Sequence, residues 1–362
     1  MFNCLMRVLL DILTPKQCRF FSALGRKLEE KGLEVYKTAR VFREVVGLLE
    51  VLGEEAYLVG RYGGATLEGK LEASLERMVE LKKVLQKIQP SLVISFSSPE
   101  ASRVAFGLAI PHVAVNDSPH SSAVAKLSIP LSEILFTPWI IPKTAWTVYG
   151  IKSSRIFKYK ALDPAAWLKG FKPKLDIAKS LGLSGEKPIV VFRLEESQAS
   201  YILGMGGLVE EIAVKAIQNL DIQPVIIPRY EEQLRKISET FNGRALVLEK
   251  TVDAINLLYL ATAFVGGGGT MSCEAALLGV PVISCYPGGE TYVEKYLASK
   301  GLLYKTSQSE EALKLIKRFL ESRERVKLEK KARKILNSMV NPAEFIAEKI
   351  VQVFLYESSS QV

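Results

Sequence analysis

The sequence predicts an α/β protein with two domains, each built around a parallel β-sheet. The 362 residues are enough for two hydrophobic cores, and the balance of 48% apolar and 24% charged residues is typical of a soluble globular protein. Short apolar runs alternate with amphipathic segments of helical period, which is the pattern of parallel strands joined by helices. We place the N-terminal domain at residues 1–165 and the C-terminal domain at residues 166–340.

The chain opens with a strand, a helix and a second strand, as in a Rossmann-like unit. The strands are predicted at residues 7–13 and 33–37, and the segment between them carries a helical apolar face. No G-x-G-x-x-G follows the first strand, so a dinucleotide cofactor is not expected here. Asp11 and Lys16 lie at the carboxyl end of this strand, where open α/β sheets place their ligands. Lys16 either binds an anionic group or is simply exposed.

A glycine-rich loop and a long helix follow the third strand, which is predicted at residues 55–59. The loop at residues 60–64 carries Arg61, whose guanidinium can fork onto a carboxylate or a phosphate. A flexible surface turn explains this loop equally well. The helix predicted at residues 67–89 carries an apolar stripe that we expect to face the core. The stripe consists of Leu71, Leu75, Met78, Leu81, Leu85 and Ile88.

The richest polar cluster of the first half follows the strand predicted at residues 111–115. Asp117 and His120 lie in it, within the run N-D-S-P-H-S. A carboxylate or an imidazole at the carboxyl end of a strand is well placed to take a proton from a substrate hydroxyl. The alternative is an Asx-turn with a helix cap, which Asn, Asp and Ser often form before a helix.

Four consecutive glycines in the second half mark the strongest candidate for a binding site. An apolar strand at residues 263–265 leads into the glycines at 266–269, and a helix is predicted from Thr270 to Gly279. Bare glycines let a ligand approach the backbone, and the first N–H groups of a helix attract an anion, most naturally a phosphate. Glu274 lies one turn after Thr270 on the same helix face, where it could accept the hydroxyl pair of a ribose. The alternative is a tight turn followed by a solvated glutamate.

The run T-x-S-x-E-A-x-x-L-G-x-P, at residues 270–281, resembles the nucleotide-sugar motif of GT-B glycosyltransferases. The peptidoglycan N-acetylglucosaminyltransferase and the non-hydrolysing UDP-N-acetylglucosamine 2-epimerase carry a similar motif. Nearly the whole chain resembles a largely archaeal family of uncharacterised glycosyltransferase-like proteins. The resemblance implies a GT-B fold, with two Rossmann-like domains facing each other across a cleft. It also implies that a last helix, within residues 341–362, crosses back onto the N-terminal domain.

The resemblance also assigns roles to the candidate residues. It implies that Glu274 binds the ribose and that the glycine turn binds the donor diphosphate. The loop after the strand at residues 188–192 would face the same phosphates, which makes Arg193 a phosphate ligand unless it pairs with Glu195 or Glu196. The diphosphate-binding candidates are therefore Gly267, Gly268, Gly269, Thr270 and Arg193. The candidates for contact with the donor sugar or the acceptor are Glu290, Thr291, Lys16 and Arg61.

The function that these features favour is metal-independent sugar transfer from a nucleoside-diphosphate sugar. No D-x-D motif occurs in the sequence, so helix N–H groups, Thr270 and Arg193 would stabilise the leaving diphosphate. Inversion by direct displacement needs one base, drawn from Asp117, His120 or Asp11. The epimerase reaction is the alternative on this fold. The chain has serines at 95, 97 and 98, where those epimerases carry an acid, and it lacks their histidine near residue 229.

The composition limits the cofactors and partners. Four scattered cysteines and two histidines offer few metal ligands, so we expect no metal and no cofactor, in a reduced cytoplasmic setting. The net charge of +9 suits an anionic or lipid-linked acceptor and peripheral contact with an anionic membrane. It would also suit a non-catalytic protein that binds nucleic acid. However, the basic run at residues 323–334 has glutamates interleaved and no nucleic-acid-binding motif accompanies it, so nucleic acid is not the expected partner.

Overall fold

A computed structural model describes residues 6–196, 207–241, 243–322 and 324–356. The chain separates into two compact units, the first formed by Met1–Trp167 with Met339–Val362 and the second by Leu168–Ser338. Each unit contains a parallel sheet with helices in the crossover connections, so the predicted class of two Rossmann-like α/β domains is confirmed.

The strands and helices follow one another in the order β-α along most of the chain. In the first unit they are β1 (Arg7–Ile12), α1 (Pro15–Glu29), β2 (Glu34–Val41), α2 (Arg43–Leu52), β3 (Tyr57–Arg61), α3 (Leu67–Ile88), β4 (Leu92–Ser95), α4 (Pro99–Gly107), β5 (His112–Val115), α5 (Ser122–Ser128), β6 (Ile134–Pro138), α6 (Thr144–Thr147), β7 (Ile156–Tyr159) and α7 (Ala165–Leu168), which leads into the second unit. The second unit contains α8 (Asp176–Ser180), β8 (Ile189–Arg193), α9 (Leu208–Asn219), β9 (Gln223–Ile227), α10 (Glu231–Phe241), β10 (Leu246–Val247), α11 (Ala254–Leu260), β11 (Ala263–Gly266), α12 (Gly269–Leu277), β12 (Val282–Ser284), α13 (Tyr292–Ser299), β13 (Leu303–Lys305), α14 (Ser309–Glu321) and α15 (Glu324–Ser338). The chain then returns to the first unit as α16 (Pro342–Val351).

Both sheets have the strand order of a doubly wound fold. Among the described residues, the first sheet has seven strands in the order β3-β2-β1-β4-β5-β6-β7, and the second has six in the order β10-β9-β8-β11-β12-β13. The order reverses between β1 and β4 in the first sheet and between β8 and β11 in the second. Ligands of open α/β sheets bind at the carboxyl ends of the strands beside such a reversal.

Burial of the central strands on both faces explains why they are continuous apolar runs. Every residue of β4 and β5 is buried, as is every residue of β8 and β11. The last helix, α16, packs against α1 of the first unit. Its start is capped by Asn341, whose Oδ1 accepts the N–H groups of Ala343 and Glu344 at 2.9 and 3.3 Å.

The predicted core stripe of α3 is only partly correct. Leu81, Leu85 and Ile88 are buried, but Leu71 and Leu75 are 61% and 52% exposed. The inward position in the first half of α3 belongs instead to Arg77, which is 1% exposed. Its guanidinium lies against β1, so the buried face of α3 is turned away from these two leucines.

The glycine-rich segment after β3 is also partly different from the expected loop. Gly60 and Arg61 are the last residues of the strand itself. Gly60 has a φ of +70°, and a Cβ added there would lie 2.6 Å from the Cβ of Arg77. Close packing of α3 against β3 therefore accounts for this glycine.

Candidate functional site

The glycine turn of the second unit contains two glycines that packing explains and two that it does not. A Cβ on Gly266 would lie 2.5 Å from the ring of Phe264, and one on Gly267 would lie 2.2 Å from Cγ of Glu195. A Cβ on Gly268 or Gly269 would meet no atom of the described residues within 4 Å. These two glycines therefore leave open space beside the backbone at the start of α12.

Among the described residues, no side chain caps the start of α12. The helix begins at Gly269, one residue before the predicted start, and its N-cap is Gly268. Serine, threonine, aspartate or asparagine would normally accept the first N–H groups of a helix, and a glycine cannot. Uncapped N–H groups beside open space are the arrangement that binds phosphate at helix N-termini.

Glu274 lies on the same helix, one turn after Thr270. Its side chain is 4% exposed, in contrast to the solvated glutamate of the alternative interpretation. The helix then ends in a Schellman arrangement, in which the N–H of Val280 donates to the carbonyl of Ala275 at 2.9 Å and Gly279 has a φ of +77°. Both ends of α12 are therefore fixed by backbone geometry.

Arg193 is buried at the carboxyl end of β8, next to the glycine turn. Its Nη1 donates to the carbonyl of Pro228 at 2.8 Å, and its own carbonyl accepts the N–H of Gly267 at 3.1 Å. Glu195 accepts the N–H of Val209 at 2.7 Å and so supports the start of α9. This strand end is thus bonded directly to the turn that carries the candidate phosphate site.

Glu196, which the sequence interpretation considered only as a partner of Arg193, forms a polar cluster with the end of β9. Its carboxylate is paired with Arg229 and accepts the hydroxyl of Tyr230. Gln233 accepts the N–H of Arg229 at 2.8 Å and holds this loop in place. The position of Glu196 directly after a strand end was the sequence signal for this cluster.

Thr291 has a structural role that the sequence analysis did not assign to it. Its hydroxyl accepts the N–H of Glu294 at 3.1 Å, and Glu294 reaches back to the N–H of Thr291, which is a capping box at the start of α13. The T-x-x-E spacing already signalled this cap. The cap accounts for Thr291 without a ligand, and its contact with sugar hydroxyls stays a prediction, as does that of Glu290, which is exposed.

In the first unit, Lys16 lies between two carboxylates. Its Nζ is 2.6 Å from Asp117 and 2.6 Å from Asp163, and the hydroxyl of Tyr159 donates to Asp163 at 2.5 Å. The interpretation of Lys16 as simply exposed is therefore wrong, because its side chain is only 15% exposed, whereas its contact with an anionic ligand stays a prediction. Asp163 was missed because it falls in the expected linker, although its place just after β7 was a usable signal.

Burial and mutual charge shift the pKa values of this cluster. Burial alone would lower the pKa of Lys16, but the two carboxylates raise it above its ordinary value. Burial opposes the ionised form of Asp117 as well, yet Lys16, followed by Ser118 and His120, lowers its pKa overall. Burial and the charge of Asp117 raise the pKa of Asp163 to about 6 in spite of Lys16.

The loop that carries Asp117 contains the predicted Asx-turn. The turn is made by Asn116, whose Oδ1 accepts the N–H of Ser118 at 2.7 Å and whose Nδ2 donates to Ser97 at 2.8 Å. Asp117 is not needed for the turn, so its carboxylate is available to Lys16. His120, at the far end of the loop, is exposed.

The structure excludes Asp11 as a base that contacts a substrate. Its carboxylate is 0% exposed, and Arg77 donates to both of its oxygens at 2.5 and 3.2 Å. Burial would raise the pKa of Asp11, but Arg77 and Thr38 lower it overall, so the group is a poor proton acceptor.

The predicted contact of Arg61 with the donor sugar or the acceptor is corrected in the same way. It is exposed on the surface of β3, where it forks onto the carboxylate of Glu76 at 2.8 and 3.1 Å. An exposed ion pair of this kind satisfies its guanidinium without a ligand.

A comparison with known protein families identifies the family of this chain. The family described as "Protein of unknown function (DUF354)" matches residues 6–353. The chain belongs to this family. An uncharacterised protein of Methanocaldococcus jannaschii is 31% identical to this DUF354 protein over 312 residues, which cover 85% of this chain and 90% of the relative.

Solved structures show that the DUF354 protein has a GT-B-like fold. The UDP-GlcNAc 2-epimerase of Methanocaldococcus jannaschii, in complex with UDP-GlcNAc and UDP, superposes with a TM-score of 0.70 at 18% identity, covering 97% of this chain and 100% of that one. The UDP-GlcNAc 2-epimerase of Neisseria meningitidis bound to UDP-GlcNAc gives the same score, identity and coverage. The spinosyn forosaminyltransferase gives a TM-score of 0.62 at 16% identity, covering 96% and 99%.

Two features are absent from the described part of the DUF354 protein. Across residues 6–196, 207–241, 243–322 and 324–356, no group of three or more His, Cys, Asp or Glu side chains is arranged to hold a metal ion. In the same ranges, no helix has the length and apolar character needed to cross a membrane.

Proposed function

We propose that this protein is a glycosyltransferase that moves a sugar from a nucleoside-diphosphate sugar to an acceptor hydroxyl. The observation that carries the proposal is the start of α12. The helix begins without a side-chain cap, beside two glycines that face open space, and a buried glutamate lies one turn further on. A bound nucleoside diphosphate accounts for all three features together, with its diphosphate at the uncapped helix start and its ribose at the glutamate.

The donor diphosphate binds at Gly267, Gly268, Gly269 and Thr270. The N–H groups of the first turn of α12 and the positive end of the helix dipole stabilise its charge, whereas the N–H of Gly267 already donates to the carbonyl of Arg193. Arg193 lies beside this turn and adds a positive charge as the diphosphate leaves. Glu274 accepts ribose hydroxyls through its carboxylate. Loss of one hydrogen bond to a charged group costs about 1.5–3 kcal/mol, so the contact would be measurable.

The transfer itself is a single displacement. The acceptor oxygen forms a bond to the anomeric carbon, the bond from that carbon to the diphosphate breaks, and the acceptor proton passes to a base. Asp117 and His120 supply this base. The lowered pKa keeps Asp117 ionised at neutral pH and able to stabilise a protonated His120, which is exposed and so accessible to a hydroxyl. Direct displacement by one base inverts the anomeric configuration.

Sugar epimerisation is the second candidate, because two of the superposing structures are UDP-GlcNAc 2-epimerases with TM-scores of 0.70. That reaction removes and returns a proton beside the anomeric carbon, which needs acids and bases around the sugar. The end of β4 carries Ser95, Ser97 and Ser98 at the place where the sequence comparison expects an acid, and Ser95 is bonded to the buried His112 at 2.8 Å. Burial lowers the pKa of His112 to about 4, so it stays neutral.

Proton NMR of sugar nucleotides incubated with the protein separates these reactions. A panel of UDP-, GDP- and dTDP-sugars is mixed with the protein, with water or an added alcohol as the acceptor. Transfer releases the nucleoside diphosphate together with a product of inverted anomeric configuration, and Asp117→Asn and His120→Ala slow it while donor binding is kept. A C2 epimer that remains attached to the nucleotide would refute the proposal in favour of epimerisation. Full retention of every sugar nucleotide would contradict both reactions.

A further inference from the structure

Arg40, the next-to-last residue of β2, has one buried guanidinium nitrogen without a hydrogen-bond partner among the described residues, at the carboxyl edge of the first sheet. Its Nη2 donates to the carbonyl of Leu13 at 2.9 Å. Its Nε is buried and has no hydrogen-bond partner among the described residues. The five N–H donors of an arginine are normally paired when the side chain is covered, because an unpaired buried donor costs free energy. Arg40 therefore differs from an arginine whose N–H donors are all hydrogen-bonded within the protein.

The nearby carboxylates are already committed to another arginine. Asp11 accepts two hydrogen bonds from Arg77, and Glu100 lies 3.8 Å from the same guanidinium. Burial lowers the pKa of Arg40, and the charge of Arg77 lowers it further. Glu100 and Asp11 act in the opposite direction, but among the described residues both carboxylates are paired with Arg77.

Aromatic rings hold the guanidinium of Arg40 in place. It lies over the ring of Tyr62, 5.1 Å from the ring centroid, and Tyr62 packs against Phe42 with ring centroids 4.8 Å apart. A cation–π contact orients the planar group without using any of its N–H donors. The ring contacts therefore orient the side chain without adding a hydrogen bond to the one that Nη2 makes.

Arg40 lies near the carboxyl end of its strand, where open α/β sheets usually bind their ligands. Ala39 is paired with Ile12 in the parallel register of β2 and β1, so Arg40 lies beside the residues that follow β1. The strand order of this sheet reverses between β1 and β4. The carboxyl ends of strands around such a reversal form the usual ligand site of an open α/β sheet.

We propose that Arg40 binds an oxyanion, a phosphate or a carboxylate, carried by the acceptor substrate. The part that concerns the acceptor rests on the proposed glycosyltransferase function, whereas oxyanion binding itself does not. The bound anion supplies the acceptor that the guanidinium lacks, and the planar fork of arginine suits two oxygens of either group. Arg40 thus selects acceptors that are anionic, and it takes no part in the chemical step.

Titration of the full chain with inorganic phosphate, and separately with acetate, tests this site by NMR. The backbone amide signals of Phe42 and Tyr62 report on it in every variant, and the side-chain Nε–H signal of Arg40 reports in the wild type. We expect these signals to shift with one dissociation constant. Arg40→Gln should weaken that binding by about tenfold or more, since a hydrogen bond to a charged group is lost. Arg40→Lys should bind with intermediate strength, because it keeps the charge without the fork.

A matched control and a second titration make the outcomes distinct. Arg61→Gln removes an arginine at the same sheet edge whose guanidinium is already paired with Glu76, and it should leave the affinity unchanged. Absence of a shift at Phe42 and Tyr62 with both anions, or equal shifts in Arg40→Gln and Arg40→Lys, would overturn the proposal. UDP is titrated in the same samples, with the amides of Gly268 and Thr270 as reporters. A response to UDP without a response at Arg40 refutes this inference alone, and the reverse result refutes the proposed function while the oxyanion site stands.

Discussion

Replacing Asp11 by asparagine should strongly destabilise the first unit. The change leaves the guanidinium of Arg77, which is 1% exposed, without the carboxylate that accepts two of its hydrogen bonds. The hydrogen bond from Thr38, 2.7 Å in the wild type, can still be made to the amide oxygen. Breaking a buried ion pair by removing one partner costs about 3–5 kcal/mol, because a charge is left uncompensated. With a urea slope of about 3 kcal/mol/M or less, the unfolding midpoint should fall by about 1 M or more.

Tryptophan fluorescence follows this unfolding selectively. The three tryptophans of the chain, Trp139, Trp146 and Trp167, all belong to the first unit. The matched control is Glu76→Gln, which breaks the exposed pair with Arg61 and should leave the midpoint in place. Equal midpoints for Asp11→Asn and Glu76→Gln would refute the reasoning.

The same pair predicts a dependence on pH with a defined sign. Arg77 and Thr38 lower the pKa of Asp11 below its unfolded value of about 3.9, in spite of burial. The stabilisation by the ionised carboxylate is therefore present above about pH 4 and is lost as the pH falls through the folded pKa. The difference in midpoint between the wild type and Asp11→Asn should shrink below about pH 4.

Three further predictions concern both units. Gly267→Ala should lower both the melting temperature and the nucleotide affinity, because its Cβ would lie 2.2 Å from Glu195. Gly268→Ala places its Cβ in open space and should lower only the affinity. Equal losses of melting temperature in the two variants would contradict this difference. Thr291→Ala should lower the free energy of unfolding by about 1 kcal/mol, because the cap of α13 is lost, and it should leave the nucleotide affinity measured by calorimetry unchanged. Weakened nucleotide binding would instead show that Thr291 is a ligand. Because the pKa of Asp163 is raised to about 6, the wild type should lose stability as the pH rises from about 4 to 6. Asp163→Asn should remove this loss, measured as the urea midpoint at each pH. A variant with the same pH profile as the wild type would contradict the prediction.

The sequence predicted the central strands well, for a physical reason. Strands such as β4, β5 and β11 are covered on both faces, so each is a continuous apolar run that differs from its surroundings. The glycine turn was equally visible, because four glycines and a following helix start are local features. Its interpretation needed the structure, which separates the glycines that pack against Phe264 and Glu195 from the two that face open space.

Contacts between distant segments were not predictable in this way. The period of α3 shows that the helix has an apolar face, but Leu71 and Leu75 are exposed because Arg77 reaches Asp11, 66 residues away in the chain. A pattern within one helix cannot show that an arginine has a buried partner elsewhere.

The polar groups of the first unit show the same limit. Lys16 and Asp117 were singled out separately, and the structure joins them through an ion pair that also includes Asp163. Arg40 gave no signal at all in the sequence, because an unsatisfied donor can be recognised only when all its neighbours are known.

Calorimetric titration with UDP, GDP, dTDP, ADP and CMP tests the central claim most directly. The wild type is compared with Glu274→Ala and with Glu239→Ala, a control that removes an exposed glutamate from α10 of the same unit. We predict that one nucleoside diphosphate binds the wild type and the control equally, and that Glu274→Ala weakens this binding by about 1–3 kcal/mol, or about 5- to 150-fold. Equal affinity in all three proteins, or no binding of any nucleotide to the wild type, would contradict a nucleotide-sugar site at the start of α12.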